Sequence, residues 1–197
     1  MILSLGVITI GAGALLGGMY AITKDPIAEA ESRQLTQSIA EVAPKFDNNP
    51  EEQKDSMDID GSKVIIYPAF LNGKLQGAAV KSTTMTGFSG EVTTLCGFDL
   101  DGNVTNYRVI AHAETPGLGA KMQDWFSDPA GARSVLGKNP GKSYFYVTKD
   151  SEHHGEIDAI TAATISSRAF LLTLRQAYMA WRDYAVKNGV QLAEIKQ

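Results

Sequence analysis

The sequence predicts an α+β fold: an antiparallel twisted sheet built from hairpins with flanking helices, preceded by one N-terminal transmembrane helix. Residues 1–23 carry no charge and exceed the roughly 20 positions that a helix needs to cross a bilayer. An Asn-Gly and an Asp-Gly dipeptide each separate two strand-like runs. From Thr164 the chain favours helix, with no Gly or Pro before Gly189. We expect a transmembrane helix (1–23), a connecting helix and linker (24–60), a folded domain (61–190) and a tail (191–197).

Composition excludes several classes of function. The 197 residues are 44% hydrophobic and carry a net charge of −4, and the basic residues are dispersed, which argues against a nucleic-acid surface. The single Cys96 excludes an internal disulfide and an iron–sulfur cluster held by this chain alone. There is no Walker loop and no dinucleotide fingerprint.

The apolar N-terminus favours a membrane span over a cleaved signal peptide. No Lys or Arg precedes the apolar run, and no clear small-x-small cleavage site follows it. Gly13 and Gly17 are spaced for close helix contact, which favours packing against partner helices, although glycines are also tolerated in a lone span. Asp25-Pro26 then fits an N-cap and first helical position for a connecting helix over 27–43, followed by a solvated loop over 44–60.

Two hairpins form the predicted sheet. Each dipeptide favours a tight type I′ turn, and Pro68 indicates that the first strand lies at an edge or carries a bulge. The predicted strands are 63–71 and 74–83 around Asn72-Gly73, and 91–100 and 103–112 around Asp101-Gly102.

Shorter elements are expected after the hairpins. We predict helices over 121–126 and 129–136, a strand over 143–148 and a polar loop over 149–156. His153 and His154 in that loop could bind a metal, but a solvated loop is the better interpretation. The closing helix has an apolar stripe opposite a solvated arginine face. The stripe is Phe170, Leu174, Ala177, Trp181 and Tyr184, and the arginines are Arg168, Arg175 and Arg182.

Hydroxyl side chains crowd the start of the closing helix, in the segment 158–167. Unpaired backbone N–H groups and the helix dipole make such a position suitable for a phosphate. The competing interpretation is that Thr161 is an ordinary N-cap and the other hydroxyls are incidental.

Two glycine-containing segments offer a close approach to a flat ligand. In the first, Gly87 precedes Phe88, although a turn with a core Phe is the commoner explanation. In the second, 112–121, Gly117 and Gly119 permit backbone N–H groups to face ring carbonyl oxygens, and Leu118 offers an apolar face.

These segments carry a resemblance to a known family. Asp158, Thr161, Ala162, Ala163 and Thr164 resemble the flavinylation motif of the FMN-binding domain family, and 114–119 resembles the family segment that lines the isoalloxazine site. The resemblance implies FMN bound covalently to Thr164 by a phosphoester, attached by a separate flavin transferase that uses FAD. The one departure is Ala162, where many members have Gly. The implied cofactor-binding residues are Thr164, Asp158, Thr161, Ala162, Ala163, Ile165, Ser166, Gly87, Phe88, Glu114, Thr115, Gly117 and Leu118; no catalytic or metal-binding residue is implied.

The resemblance also implies a role. The chain is similar to the membrane-anchored flavin carriers of ion-translocating ferredoxin:NAD oxidoreductase (Rnf) complexes, electron-transfer subunits that have no complete activity alone and that bind other membrane subunits. The related flavin subunits of sodium-translocating NADH:quinone reductases are typically longer. The implied location is the bacterial inner membrane with the folded domain outside the cytoplasm, although Lys24 and Arg33 weakly favour the cytoplasm. A non-catalytic binding module is the alternative. A hydrolase is disfavoured because the sequence shows no recognisable catalytic triad.

Overall fold

The computed structural model describes residues 2–196, without the side chains at 2–5, 7, 8, 28 and 31. The chain divides into two units, Met1–Gln37 and Ser38–Gln197. One long helix, α1, covers Ile2–Val42 and includes Pro26 in its interior. The predicted helix start at Asp25-Pro26 is therefore wrong, because the chain is already helical when it reaches the proline.

The predicted transmembrane helix is not confirmed. Among the residues that the structure describes, no helix is long and apolar enough to cross a membrane. Position 1 and the side chains at 2–5, 7 and 8, which belong to the predicted segment, lie outside the described part. Large apolar side chains of the first unit are solvent-exposed, namely Ile10, Leu15, Leu16, Met19, Tyr20 and Ile22.

The second unit contains a five-stranded antiparallel sheet in which each strand pairs with the next along the chain. The strands are β1 Asp55–Ile59, β2 Ser62–Leu71, β3 Lys74–Gly87, β4 Gly90–Asp99 and β5 Val104–His112. This confirms the predicted antiparallel sheet with flanking helices. The predicted loop over 44–60 is wrong at its C-terminal end, because β1 lies there and the Asp60-Gly61 turn, with φ of 52° and 75°, connects it to β2.

The turns between the strands follow local sequence only in part. Asn72 and Gly73 have φ of 51° and 72°, which fits the predicted type I′ turn. At the other predicted turn, Gly102 has a positive φ but Asp101 does not, so the type I′ prediction there is wrong. The Asp99 carboxylate instead accepts the backbone N–H groups of Asp101 and Asn103 and shapes a longer turn. Pro68 lies beyond the last pairing with β1 and next to a register shift, as predicted.

Helix α3, Thr164–Lys187, packs its apolar stripe on one face of the sheet. Phe170 stacks on Phe126 at 4.3 Å between ring centroids and meets the edge of Tyr107. Trp181 is fully buried and donates its Nε1–H to the Asp99 carbonyl at 3.2 Å. The predicted stripe is confirmed, and it fixes the helix axis on the sheet.

The other face of the sheet is covered by the C-terminal end of α1. Ile39 and Val42 are buried, and Thr105 donates its hydroxyl to the Val42 carbonyl. Gly97 in β4 lies directly below this carbonyl, where a Cβ atom would be only 1.8 Å from the oxygen. Strand β4, which lies next to the edge strand β5, is consequently buried on both faces.

Between β5 and α3 the chain forms mostly turns. The predicted helix near 121–126 is present as a 3₁₀ turn, Gly119–Lys121, followed by α2, Met122–Trp125. The predicted helix over 129–136 is wrong: Gly131 has a φ of +62° and the segment is irregular. The predicted strand over 143–148 is reduced to one bridge between Val147 and Ile157.

The arginine face of α3 is only partly solvated. Arg168 is exposed, as predicted, but Arg175 donates to the Phe145 carbonyl at 2.7 Å and lies over the Tyr146 ring at 4.0 Å. Burial lowers the pKa of the Arg175 guanidinium. Arg175 therefore holds the irregular segment against the helix, because its guanidinium donates a hydrogen bond to the backbone of a segment that forms no regular strand.

Candidate functional site

The start of α3 has no side-chain cap among the described residues. Its N-cap residue is Ala163, so the interpretation of Thr161 as the N-cap is wrong. The hydroxyl of Ser167 accepts the Ile160 N–H at 2.9 Å and donates to the Ala163 carbonyl at 2.9 Å, which fixes the turn before the helix from inside.

Three backbone N–H groups at this helix start are unpaired within the described part of the chain. Within the part of the chain that the structure describes, no hydrogen-bond acceptor is found for the N–H groups of Thr164, Ile165 and Ser166. Unpaired donors at the positive end of a long helix form a suitable environment for an anion such as a phosphate. The Thr164 side chain is half-buried beside them.

The turn that leads into the helix is strained at one residue. Ala162 has a φ of +62°, a left-handed conformation that costs a non-glycine residue about 1–2 kcal/mol. At this position, where the resemblance implies Gly in many members, the backbone has a conformation that glycine adopts without strain and that the alanine adopts under strain.

The Glu114 carboxylate joins the three segments of the site. It is buried, and its Oε1 accepts the Phe88 N–H at 2.7 Å while its Oε2 accepts the Ser166 hydroxyl at 2.8 Å. Phe88 lies in the turn between β3 and β4, and Ser166 lies in the first turn of α3. One side chain thus holds a sheet turn, its own loop and a helix start together.

Two glycines make room for this carboxylate. A Cβ atom on Gly87 would lie 2.6 Å from Glu114 Oε1, and one on Gly119 would lie 2.8 Å from Oε2 and 2.5 Å from Ser166 Oγ. A side chain at either position would displace the carboxylate or the serine. Gly87 and Gly119, one in each glycine-containing segment, therefore serve close packing around Glu114, a role that the sequence does not indicate.

An open cavity of about 310 Å³ lies between these segments. Most of the predicted cofactor-binding residues line it, and Phe88, Leu118 and Ile165 present exposed apolar surface at it. Gly119, which the predicted set omitted, lines it too. The predicted residues in its wall are Phe88, Glu114, Thr115, Leu118, Ala162, Ala163, Thr164, Ile165 and Ser166.

Four of the thirteen predicted residues do not line the cavity. Gly87 lies behind it against Glu114, and Gly117 has a positive φ of +77° in the neighbouring loop. Thr161 is exposed on the adjacent turn. Asp158 supports the loops instead: its carboxylate accepts the Ala132 N–H at 3.2 Å, and its carbonyl accepts Trp125 Nε1–H at 2.9 Å.

One functional candidate comes from outside both motifs. Lys149 donates its Nζ–H to Thr164 Oγ1 at 3.3 Å. The sequence predicts a polar loop over 149–156, and no sequence signal connects its lysine to the helix start 15 positions later. The contact depends on how the loop folds back on α3.

The paired histidines of this loop make ring contacts. His153 stacks on Tyr146 at 4.4 Å and His154 lies 5.5 Å from Tyr144. Within the described residues, no cluster of His, Cys, Asp and Glu could hold a metal ion. These contacts give the histidines a packing role.

Comparison with known proteins gives consistent results. Residues 87–179, which contain both motifs, match the model of the FMN-binding domain. The chain is 36% identical to the G subunit of the ion-translocating oxidoreductase complex of Aliivibrio fischeri strain MJ11, over 92% of this chain and 89% of that protein. It is 31% identical to the protein of the same name from Cereibacter sphaeroides, over 88% and 80%, and 30% identical to that of Vibrio vulnificus, over 88% and 84%.

Ala162→Gly should relieve the backbone strain before α3. We expect the free energy of unfolding to stay unchanged or to rise by up to about 1 kcal/mol, as measured by urea denaturation. Ala130→Gly, at an exposed position without a positive φ, is the control and should lose about 0.5–1 kcal/mol. Equal losses in the two variants would show that the left-handed conformation stores no strain.

Glu114→Ala should loosen the site as a whole. It leaves the Phe88 N–H and the Ser166 hydroxyl without an acceptor, so we expect a loss of about 2–3 kcal/mol in unfolding free energy. Hydrogen exchange of the Phe88 amide should accelerate. Glu52→Ala, at an exposed carboxylate, should change stability by less than about 0.5 kcal/mol. A Phe88 amide that exchanges at the wild-type rate in Glu114→Ala would contradict the bridging role.

Proposed function

The chain belongs to the FMN-binding family that includes the G subunits of ion-translocating oxidoreductase complexes, and from this premise we propose that it is an FMN-carrying electron-transfer subunit of such a complex. The observation that carries the proposal is the cavity in which Thr164 lies between an uncapped helix start and an apolar wall. Electron donor and acceptor belong to other subunits, with which this chain must assemble.

The residues of the cavity fit an FMN molecule. Its phosphate suits the unpaired N–H groups at the start of α3, where a negative charge is stabilised by about 0.3–1 kcal/mol. Its flat ring suits the exposed apolar side chains of Phe88, Leu118 and Ile165. A volume of about 310 Å³ lies at the lower end of the range for small-molecule sites, so this open cavity suits part of the cofactor and leaves the rest near solvent.

We propose further that FMN is attached covalently to Thr164 through a phosphoester. Thr164 Oγ1 attacks the phosphorus of the FMN half of FAD, the Oγ1–P bond forms, and the bond from phosphorus to the AMP oxygen breaks. AMP leaves with the electron pair, and a base of the flavin transferase takes the hydroxyl proton. A separate enzyme is needed because the threonine hydroxyl is a weak nucleophile, and Lys149, which contacts its oxygen, donates a hydrogen bond to it as an ammonium and takes no proton from it.

The bound cofactor supplies one-electron redox chemistry, which the protein side chains do not have. The protein holds the cofactor at a fixed place and orients it. Glu114 keeps the walls of the cavity together, and the exposed apolar side chains at its mouth leave that side open to a partner subunit. On this view the chain is a relay in a redox-driven ion translocase and has no complete activity alone.

Two other functions remain as alternatives. The C subunit of a sodium-translocating NADH:quinone reductase would use the same flavin chemistry, but the chain matches most of the length of G subunits from another complex. A non-catalytic binding module would use the cavity without a redox cofactor. The binding module predicts a colourless native protein, whereas both carriers predict a yellow one.

We propose that the first unit anchors the protein in the bacterial inner membrane by a single pass, with the folded domain outside the cytoplasm. Residues 1–23 carry no charge, and Leu15, Leu16 and Ile22 expose more than two thirds of their surfaces. Exposed apolar side chains in a helix are stable where lipid or another apolar surface covers them.

Thr164→Val should abolish covalent flavin loading. Wild-type protein produced with the flavin transferase should keep its yellow colour after denaturation, and the peptide that contains Thr164 should gain the mass of one FMN less one water. Thr164→Ser keeps a hydroxyl and should load at least partly, whereas Thr161→Val should load normally. A bare Thr164 in the native, assembled complex would overturn the covalent proposal, and a flavin-free complex would favour the binding module.

Substitution within the apolar segment should release the protein from membranes. We expect the wild type to stay in the pellet after an alkaline wash, and the double variant Leu15→Lys, Leu16→Lys to shift to the supernatant, since each lysine costs about 2.5–3.5 kcal/mol at the centre of a span. Ile27→Lys, outside the uncharged segment, is the control and should stay in the pellet. Protease added to intact spheroplasts should digest the folded domain; protection would reverse the proposed orientation.

A further inference from the structure

Lys149 is fixed beside Thr164 by contacts that do not involve the FMN motifs. Its Nζ–H donates to Thr164 Oγ1 at 3.3 Å, across 15 positions of sequence. The next residue, Asp150, forms a bidentate ion pair with Arg168, in which Nη2 and Oδ1 are 2.5 Å apart and Nε lies 3.0 and 3.2 Å from the two oxygens. Arg168 lies one helical turn after Thr164. Helix α3 therefore carries Thr164 and, through the Arg168–Asp150 ion pair, also holds the loop that contains Lys149.

The backbone around Lys149 is also fixed. The Asp150 N–H donates to the Val147 carbonyl at 2.8 Å, and Val147 pairs with Ile157 in the isolated bridge. The Asp150 side chain is only 12% exposed although its partner Arg168 is 53% exposed. The Asp150 carboxylate thus forms an ion pair that fixes the loop, and the ammonium of the neighbouring Lys149 contacts the Thr164 hydroxyl.

We propose that Lys149 promotes the attachment of FMN at Thr164 and then neutralises the phosphoester; this inference rests on the proposed function of the site. When the hydroxyl proton leaves, negative charge develops on Oγ1, and an ammonium donor already directed at that atom stabilises it. The bond changes are those given above: Oγ1–P forms, the P–O bond to AMP breaks, and the proton goes to a base of the transferase. Lys149 exchanges no proton and acts through its charge.

The charge balance of the site supports this assignment. The helix start supplies neutral N–H donors, and Glu114, the one acidic side chain among the described residues of the wall, uses both carboxylate oxygens to bind Phe88 and Ser166. Lys149 brings a full positive charge to the Thr164 side of the cavity. A phosphoester at Oγ1 keeps one negative charge, which this ammonium can neutralise.

The test measures how fast flavin is incorporated into variants of the full-length chain. Unmodified protein, produced without flavin transferase, is mixed with the purified transferase and FAD, and incorporation is followed by intact mass and by covalent flavin fluorescence. We compare wild type with Lys149→Arg, Lys149→Gln and Lys149→Glu. Lys142→Gln removes the same charge at a nearby exposed lysine and is the matched control.

The expected rates follow the charge at position 149. Arginine should be close to lysine, glutamine should be about tenfold slower, and glutamate slower still, because these replacements respectively keep, remove and reverse the charge beside the reacting oxygen. Lys142→Gln should load at the wild-type rate. Thermal unfolding of each variant separates this effect from stability, because a merely structural role would not order the rates by charge.

The possible results distinguish a failure of the role of Lys149 from a failure of the covalent linkage at Thr164. Equal loading of Lys149→Gln and Lys142→Gln overturns the role of Lys149 and leaves Thr164 as the acceptor. A rate order that follows melting temperature and not charge overturns it as well. Wild-type protein that never acquires flavin overturns the covalent linkage itself, and with it this inference.

Discussion

The site depends on one buried carboxylate that accepts two hydrogen bonds from different segments. Glu114 loses its hydration on folding, and the Phe88 N–H and Ser166 hydroxyl replace the lost water contacts. Leaving any of these groups unpaired would cost free energy. This cost holds a sheet turn, a loop and a helix start in fixed positions relative to one another. Gly87 and Gly119 are required by the same interaction, since a Cβ atom at either would occupy the space of the carboxylate.

Around this rigid centre, the helix start departs from the rules for a stable helix. Ala163 provides no cap, and Ala162 adopts a left-handed conformation under strain. Such local departures are expected at functional sites, where the surrounding structure supports them. Ser167 supplies that support from the buried side of the turn, so the outer side keeps its N–H groups available.

The proposed electron-transfer role places two different demands on the protein. The cofactor must be held firmly, which the packing of α3 against the sheet provides, and it must remain accessible to a partner at the open apolar mouth formed by Phe88, Leu118 and Ile165. In the role proposed for it, Lys149 adds a positive charge at the end of the cavity that would hold the phosphate. The two ends of the cavity thus differ in polarity, as FMN itself does, and this difference would set the direction in which the cofactor lies.

The sequence by itself determined the elements whose signal is local. Asn72-Gly73 forms its turn because both residues accept a positive φ, and the stripe from Phe170 to Trp181 is buried because it repeats with the helical period. The motif residues near Thr164 and Glu114 were identified through family resemblance. Only the tertiary structure decided what depends on distant partners. It converted 129–136 from a helix into turns and gave Asp158 a supporting role outside the cavity. It also brought Lys149 to Thr164, because that contact requires a loop to be folded against a helix by an ion pair that no local pattern encodes.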